Sequence, residues 1–147
     1  MFFQTKILDN TLEKISKNIN KNLIFTNNKT YTVNGRQTIN IFSYIPENIV
    51  NEILFFNNFD KKLFHLHFIN YEKGGYQEPH NHVNTEKYSF ILYLNDSDGD
   101  TIFLIDNKKI AVKPQKGKLV VFSSDIMHYA LKSFKNKKIL VGAIDKI

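Results

Sequence analysis

The chain has no cysteine. That excludes disulfides, zinc–thiolate sites and a cysteine nucleophile, and it fits a reducing, cytoplasmic setting. Only three prolines and six glycines are present, and no stretch rich in Gly, Ser or Pro breaks the chain into parts. No apolar run approaches the roughly 18 residues a membrane-spanning helix needs. The opening "MFFQTKILDN" reaches a charge at Lys6 before any signal-like apolar region forms. The expectation is a cytoplasmic protein with no membrane partner. Tryptophan is also missing, yet thirteen Phe and seven Tyr make the chain aromatic-rich.

What is present suits one ordinary domain spanning residues 1–147. Hydrophobic residues make up 42% and charged residues 23%, a balance that supports a real core. The net charge of +6 raises a nucleic-acid partner as one reading. The plainer one is compositional bias, because Lys, Asn and Ile are abundant throughout and the lysines cluster only in "KSFKNKK", residues 132–138.

Residues 9–22 place Leu12, Ile15 and Ile19 at helical spacing behind a cap at Asp9 or Asn10. Residues 46–57 open with Pro46 at a first helical position and carry Ile49, Ile53 and Phe56 on one stripe. From Lys62 the texture changes to short strands: "LFHLHFINY", "YSFILYL", "TIFLI", "KIAVKP", "GKLVVF", "HYALKSF" and "KILVGAI", with a hairpin turn at "DNK". The fold class is therefore α+β, mainly β: residues 1–61 form a helical support region, and residues 62–147 a sandwich or barrel that it braces.

Inside that strand region, "EPHNHVNTEKYSFILYL" holds His80 and His82. In an extended strand, residues i and i+2 face the same way, so both imidazoles would point to one side, as metal ligands must. His128, in "SSDIMHYA", stands where one apolar strand ends and another begins. Neutral imidazole is the commonest protein metal ligand, and jelly-roll strands far apart in sequence meet across the barrel. His80, His82 and His128 are thus the candidate metal set. A second His-x-His, His65 and His67 in "FHLHF", lacks a matching third ligand, although His67 shares its strand face with Tyr71 and would line the pocket.

The order of these pieces resembles the 2-oxoglutarate- and Fe(II)-dependent dioxygenase superfamily, in its prolyl-hydroxylase-like branch. The matching residues are Tyr71, Gly74, Gly75, His80, Tyr93-Leu94-Asn95, Gly99-Asp100-Thr101, Pro114, Gly117, Phe122, His128 and Lys138. They span roughly residues 62–144, and their order and spacing carry the resemblance. It implies a double-stranded β-helix, or jelly roll, with Fe(II) and 2-oxoglutarate as cofactors. It implies Lys138 as the cation for the cosubstrate's distal carboxylate, with Lys137 as rival on the opposite strand face, and Tyr93 and Tyr71 as hydroxyls of the same pocket. It implies a dioxygenase that oxidises a small molecule or a protein residue. The chain departs from the family at one ligand: His82 stands where the carboxylate is usual. His-x-His versions are similar to phage and marine bacterial members. Three histidines can hold the geometry of a 2-His-1-carboxylate triad while leaving the site one unit more positive. Glu86 and Asp100 are the carboxylates that would restore the charge.

Two other readings compete. "GGYQEPHNHVNTE" fits the first cupin motif from Gly74 to Glu86, which would make Glu86 a ligand. The second cupin motif fits poorly, since His128 follows Gly117 by eleven residues. A binding or phage-structural module that kept the fold and lost the chemistry is the non-enzymatic reading. Arg36, in "NGRQT" within the unassigned stretch 26–40, is an anion-contact candidate or a surface residue.

Overall fold

The computed structural model describes residues 1–54 and 62–147. Phe56 and the end of the second expected helix lie outside the described residues. The chain runs β1 (Phe2–Lys6), α1 (Asp9–Asn20), β2 (Thr32–Gln37), α2 (Glu47–Leu54), β3 (Leu63–His80), β4 (Glu86–Tyr93), β5 (Thr101–Ile105), β6 (Lys108–Val112), β7 (Lys118–Ser123), β8 (Met127–Ser133) and β9 (Lys137–Lys146).

The strands form a curled antiparallel sheet in the order β1-β7-β4-β9-β3-β8-β5-β6, with β2 on the other edge of β3. It is the jelly-roll arrangement expected. β3 joins the two halves. Its first part pairs with β9 from Leu63 to Tyr71, and its last part pairs with β8 from Gly75 to His80. Register shifts within β3 mark the bend. The expected Gly-rich turn is part of this bend. Gly74 has φ +82°, and a Cβ on Gly75 would run into the carbonyl of Asn34. The glycines let one strand bulge and continue instead of ending.

Alternation along the central strands gives the sheet two buried faces. Phe90, Leu92, Leu119, Val121 and Leu140 pack toward the helices, with Leu12, Ile15, Ile19, Ile49 and Ile53. Each fully buried Leu or Ile contributes roughly 1.5–3 kcal/mol, enough to seat two short helices. Ile69, Tyr71, Ile91, Tyr93, Val120, Phe122 and Ile139 face the other way, into the barrel, where Phe103 and Val112 close over them.

The first 61 residues are not only helical. β1 pairs with β7, and β2 pairs with β3 inside the unassigned stretch. Both are short and only half-buried, so their pattern is too faint to read without their partners. α1 also begins without the expected side-chain cap; Leu8 precedes it, and the Asn10 side chain accepts the Thr11 N–H instead. Asp106 and Asn107, both with positive φ, make the β5–β6 turn, as hairpins of this length require. Among the described residues no helix is long and apolar enough to cross a membrane.

Candidate metal centre and cosubstrate pocket

His80 is the last residue of β3, and His128 lies opposite it on β8, paired in register. His82 is not on a strand. Its N–H donates to the Ser124 carbonyl at 2.9 Å, and its own carbonyl accepts from Thr85 and Glu86 at 3.1 and 3.3 Å. His80 and His82 therefore do not share a strand face, as the His-x-His spacing would give in an extended strand. A tethered turn, not strand alternation, brings His82 round. One ring nitrogen from each of the three histidines lies within 4.8 Å of the others.

The imidazoles are arranged to be ligands. His80 Nδ1 donates to the Glu78 carbonyl at 2.7 Å, and His128 Nδ1 to the Ile126 carbonyl at 3.0 Å. His82 Nδ1 faces the Glu86 carboxyl at 3.4 Å. With Nδ1 hydrogen-bonded on His80 and His128 and turned toward a carboxyl on His82, Nε2 is the nitrogen left to meet a cation. His80 is 6% and His128 2% exposed. Burial, reinforced by neighbouring histidines, pushes His82 down to about 4 and His128 to about 3, and burial lowers His80 as well. All three are neutral at pH 7, the form that binds metal. The Tyr31 ring stacks on His80 at 4.2 Å. Burial pushes the Glu86 carboxyl up to about 7, with the Thr85 hydroxyl pulling it partly back. Among the described residues the ligand cluster comprises the three histidines, with neither Glu86 nor Asp100 in it.

The cluster opens onto a cavity of about 340 Å³. His65 and His67 line it, as do Gln37 and Gln77, while Ile69, Ile91 and Val141 form its apolar floor. Strand register places the next layer beneath that floor. Tyr71 follows Ile69 on the same β3 face and is paired with Lys137; Tyr93 follows Ile91 on β4. Lys137 is 1% exposed, its Nζ donating to the Gly99 carbonyl at 2.6 Å and lying 4.7 Å from the centre of the Tyr71 ring. Burial pushes its pKa down to about 8, and Asp100 and Asp98 pull it partly back up. Tyr93 and Thr101 share a hydroxyl hydrogen bond of 2.6 Å. The Tyr71 hydroxyl is buried with no hydrogen-bond partner among the described residues. A buried cation beside an unpartnered buried hydroxyl is a setting that suits a carboxylate.

Lys138 does not join this layer. It precedes Leu140 on the face of β9 that packs toward the helices, whereas Lys137 and Ile139 face the barrel. Lys138, which the family resemblance implies as the cation for the distal carboxylate, shares the face of Leu140, and that face meets the helices and not the barrel interior. Both faces of β9 are buried, so parity alone could not tell which one holds the site. Arg36 stacks over the Phe25 ring at 3.9 Å and does not line the histidine cavity. Tyr31 and Gln77 line it too; Gln77 is on β3 itself, and the pairing of the β2 edge with β3 brings Tyr31 there, which no sequence motif marks.

A match to the 2OG-Fe(II) oxygenase superfamily spans residues 66–144, just over half of the chain. The chain belongs to that superfamily. The enzyme is accordingly an oxygenase using Fe(II) and 2-oxoglutarate, and its three-histidine cluster is a donor set that suits iron. No curated protein matched it by sequence. Among solved structures, a prolyl-4-hydroxylase from Pseudomonas putida is 18% identical with a TM-score of 0.68, covering 99% of this chain and 92% of its own. The viral collagen prolyl hydroxylase of Paramecium Bursaria Chlorella virus-1, in its 2OG complex, is also 18% identical, with a TM-score of 0.71 and coverage of 97% and 94%. HygX from Streptomyces hygroscopicus, with nickel and 2-oxoglutarate bound, is 8% identical with a TM-score of 0.74, covering 98% and 82%. These likenesses establish the oxygenase jelly roll. The cupin reading, which needs Glu86 as a ligand, gives way to the oxygenase family, as does the module without chemistry.

Proposed function

We propose that His80, His82 and His128 are the protein ligands of Fe(II) in a single-domain oxygenase, and that Lys137 receives the distal carboxylate of 2-oxoglutarate. One observation supports this most: two buried imidazoles hydrogen-bonded at Nδ1, with the half-buried His82 whose Nδ1 faces a carboxyl, bring one nitrogen apiece to a common point beside a cavity. Three protein ligands leave coordination positions for the cosubstrate and oxygen. Bound iron with 2-oxoglutarate supplies the oxidising chemistry, with succinate and carbon dioxide as coproducts.

The chain's own residues do the holding. The Lys137 ammonium draws the cosubstrate's distal carboxylate down to the layer below the cavity floor. The Tyr71 hydroxyl donates to the same carboxylate, and Tyr93, held by Thr101, borders it. The apolar side chains of Ile69, Ile91 and Val141 exclude water from the cosubstrate's middle. The substrate meets His65, His67, Gln37 and Gln77 at the mouth. No Lys or Arg lines this cavity among the described residues, which favours an uncharged group on a small molecule or a protein residue over a nucleic-acid phosphate. The absence of cysteine supports a cytoplasmic setting.

Titration of 2-oxoglutarate into the Mn(II)-loaded protein tests the assignment. Saturable binding that depends on both metal and Lys137 is expected. Equal binding with and without metal would refute it.

A further inference from the structure

We infer that Glu86 is a positioning residue for the metal: it holds His82 through its Nδ1 and returns, one residue removed from the cation, the negative charge that His82 omits from the ligand set. The inference rests on the proposed role of His82.

Glu86 is the first residue of β4 and is 5% exposed. A buried carboxyl without purpose is rare, because removing it from water is costly unless it is paired. Here its Oε1 lies 3.4 Å from His82 Nδ1 and accepts from the Thr85 hydroxyl at 3.1 Å. The turn that carries His82 is closed by the Glu86 N–H on the His82 carbonyl, so backbone and side chain of one residue grip the same ligand. His80 and His128 are held at Nδ1 by carbonyls, Glu78 and Ile126. His82 alone has a carboxyl there, and His82 alone stands where the family has a carboxylate.

The physical consequence follows from the ligand set. A cation on Nε2 makes the Nδ1–H a stronger donor, and a carboxylate is its best acceptor. A three-histidine site would be one unit more positive than a site with two histidines and a carboxylate. Glu86 returns that unit through the imidazole, at a distance that leaves the coordination position to His82. Its partner in the cycle is therefore His82 itself.

Anaerobic Mn(II) titration of five proteins decides the matter: wild type, Glu86→Gln, His82→Asp, the double variant of these two, and His82→Ala. Glu86→Gln keeps the size and an acceptor oxygen but not the charge. It is expected to weaken Mn(II) binding about 10- to 100-fold, the usual cost of losing an outer partner. In the His82→Asp background the carboxylate sits on the metal and Glu86 has no imidazole to hold, so Glu86→Gln should change affinity little. An unchanged Mn(II) affinity in Glu86→Gln would overturn the inference. So would an equal loss in both backgrounds, which would make Glu86 a ligand or a general charge. The melting temperature of the metal-free variant is read alongside: a folded Glu86→Gln that binds poorly supports the role, and a fall in affinity seen only with unfolding refutes it. His82→Ala separates the two ideas. If it binds Mn(II) as wild type does, the three-histidine reading fails; if it does not, while Glu86→Gln binds normally, only the role of Glu86 fails.

Discussion

Replacing Lys137 by methionine in the metal-free protein removes a buried cation and leaves a side chain of similar length. The ammonium's pKa falls from 10.5 to about 8 on folding, chiefly through burial. At 1.36 kcal/mol per pH unit, that is about 3 kcal/mol of cost carried by the folded state at neutral pH. The variant escapes this cost but strands the Gly99 carbonyl, whose lost hydrogen bond takes back roughly 1–3 kcal/mol. The two nearly offset at pH 7, so stability there does not discriminate. The pH dependence does. Between pH 8 and 10.5 the unfolded chain keeps the proton on Lys137 while the folded chain has lost it, so the wild type gains stability as pH rises. The gain over the variant from pH 7 to 9.5 should be about 2 kcal/mol. Burial raises Tyr71 and Tyr93, which act oppositely above pH 10, so the comparison ends below that. Urea denaturation of both proteins at several pH values measures it. Bound 2-oxoglutarate should erase the difference in slope, because its carboxylate keeps Lys137 charged. The variant should bind the cosubstrate about 10- to 150-fold more weakly, for a charge-assisted contact worth roughly 1.5–3 kcal/mol. Parallel pH–stability curves would show that Lys137 carries no buried charge, and unchanged 2-oxoglutarate affinity would remove it from the pocket.

Lys138→Ala, on the other face of β9, should leave 2-oxoglutarate affinity within about twofold by the same titration, as a substitution away from the site does. His82→Ala should cut Mn(II) affinity by more than the roughly 10- to 100-fold typical of an outer partner, while His82→Asp should bind metal with affinity of the wild-type order and attract 2-oxoglutarate less; calorimetry reads both. Gly142→Ala should lower stability by about 1–3 kcal/mol in urea, because the new Cβ would run into the Phe90 ring on the paired strand.

Much of the centre was legible because chemistry and order are written in the chain. His80, His82 and His128 were named from residue type and spacing alone, and the family order implied the jelly roll and its cofactors. The helices were legible where Leu12, Ile15 and Ile19 mark one face. Three things needed the tertiary structure. The sequence places two lysines side by side at 137 and 138, and with both faces of β9 buried, only the packing of helices on one side decides which lysine faces the barrel. His82 reaches the cluster through a turn tied to Ser124, a residue on a distant loop, so strand alternation could not predict its direction. Glu86 is four residues from His82 in the chain, a spacing compatible with ligand or neighbour. Only the fold sets its carboxyl 3.4 Å from the His82 Nδ1 and outside the three-histidine cluster, because the turn that carries His82 ends where β4 starts.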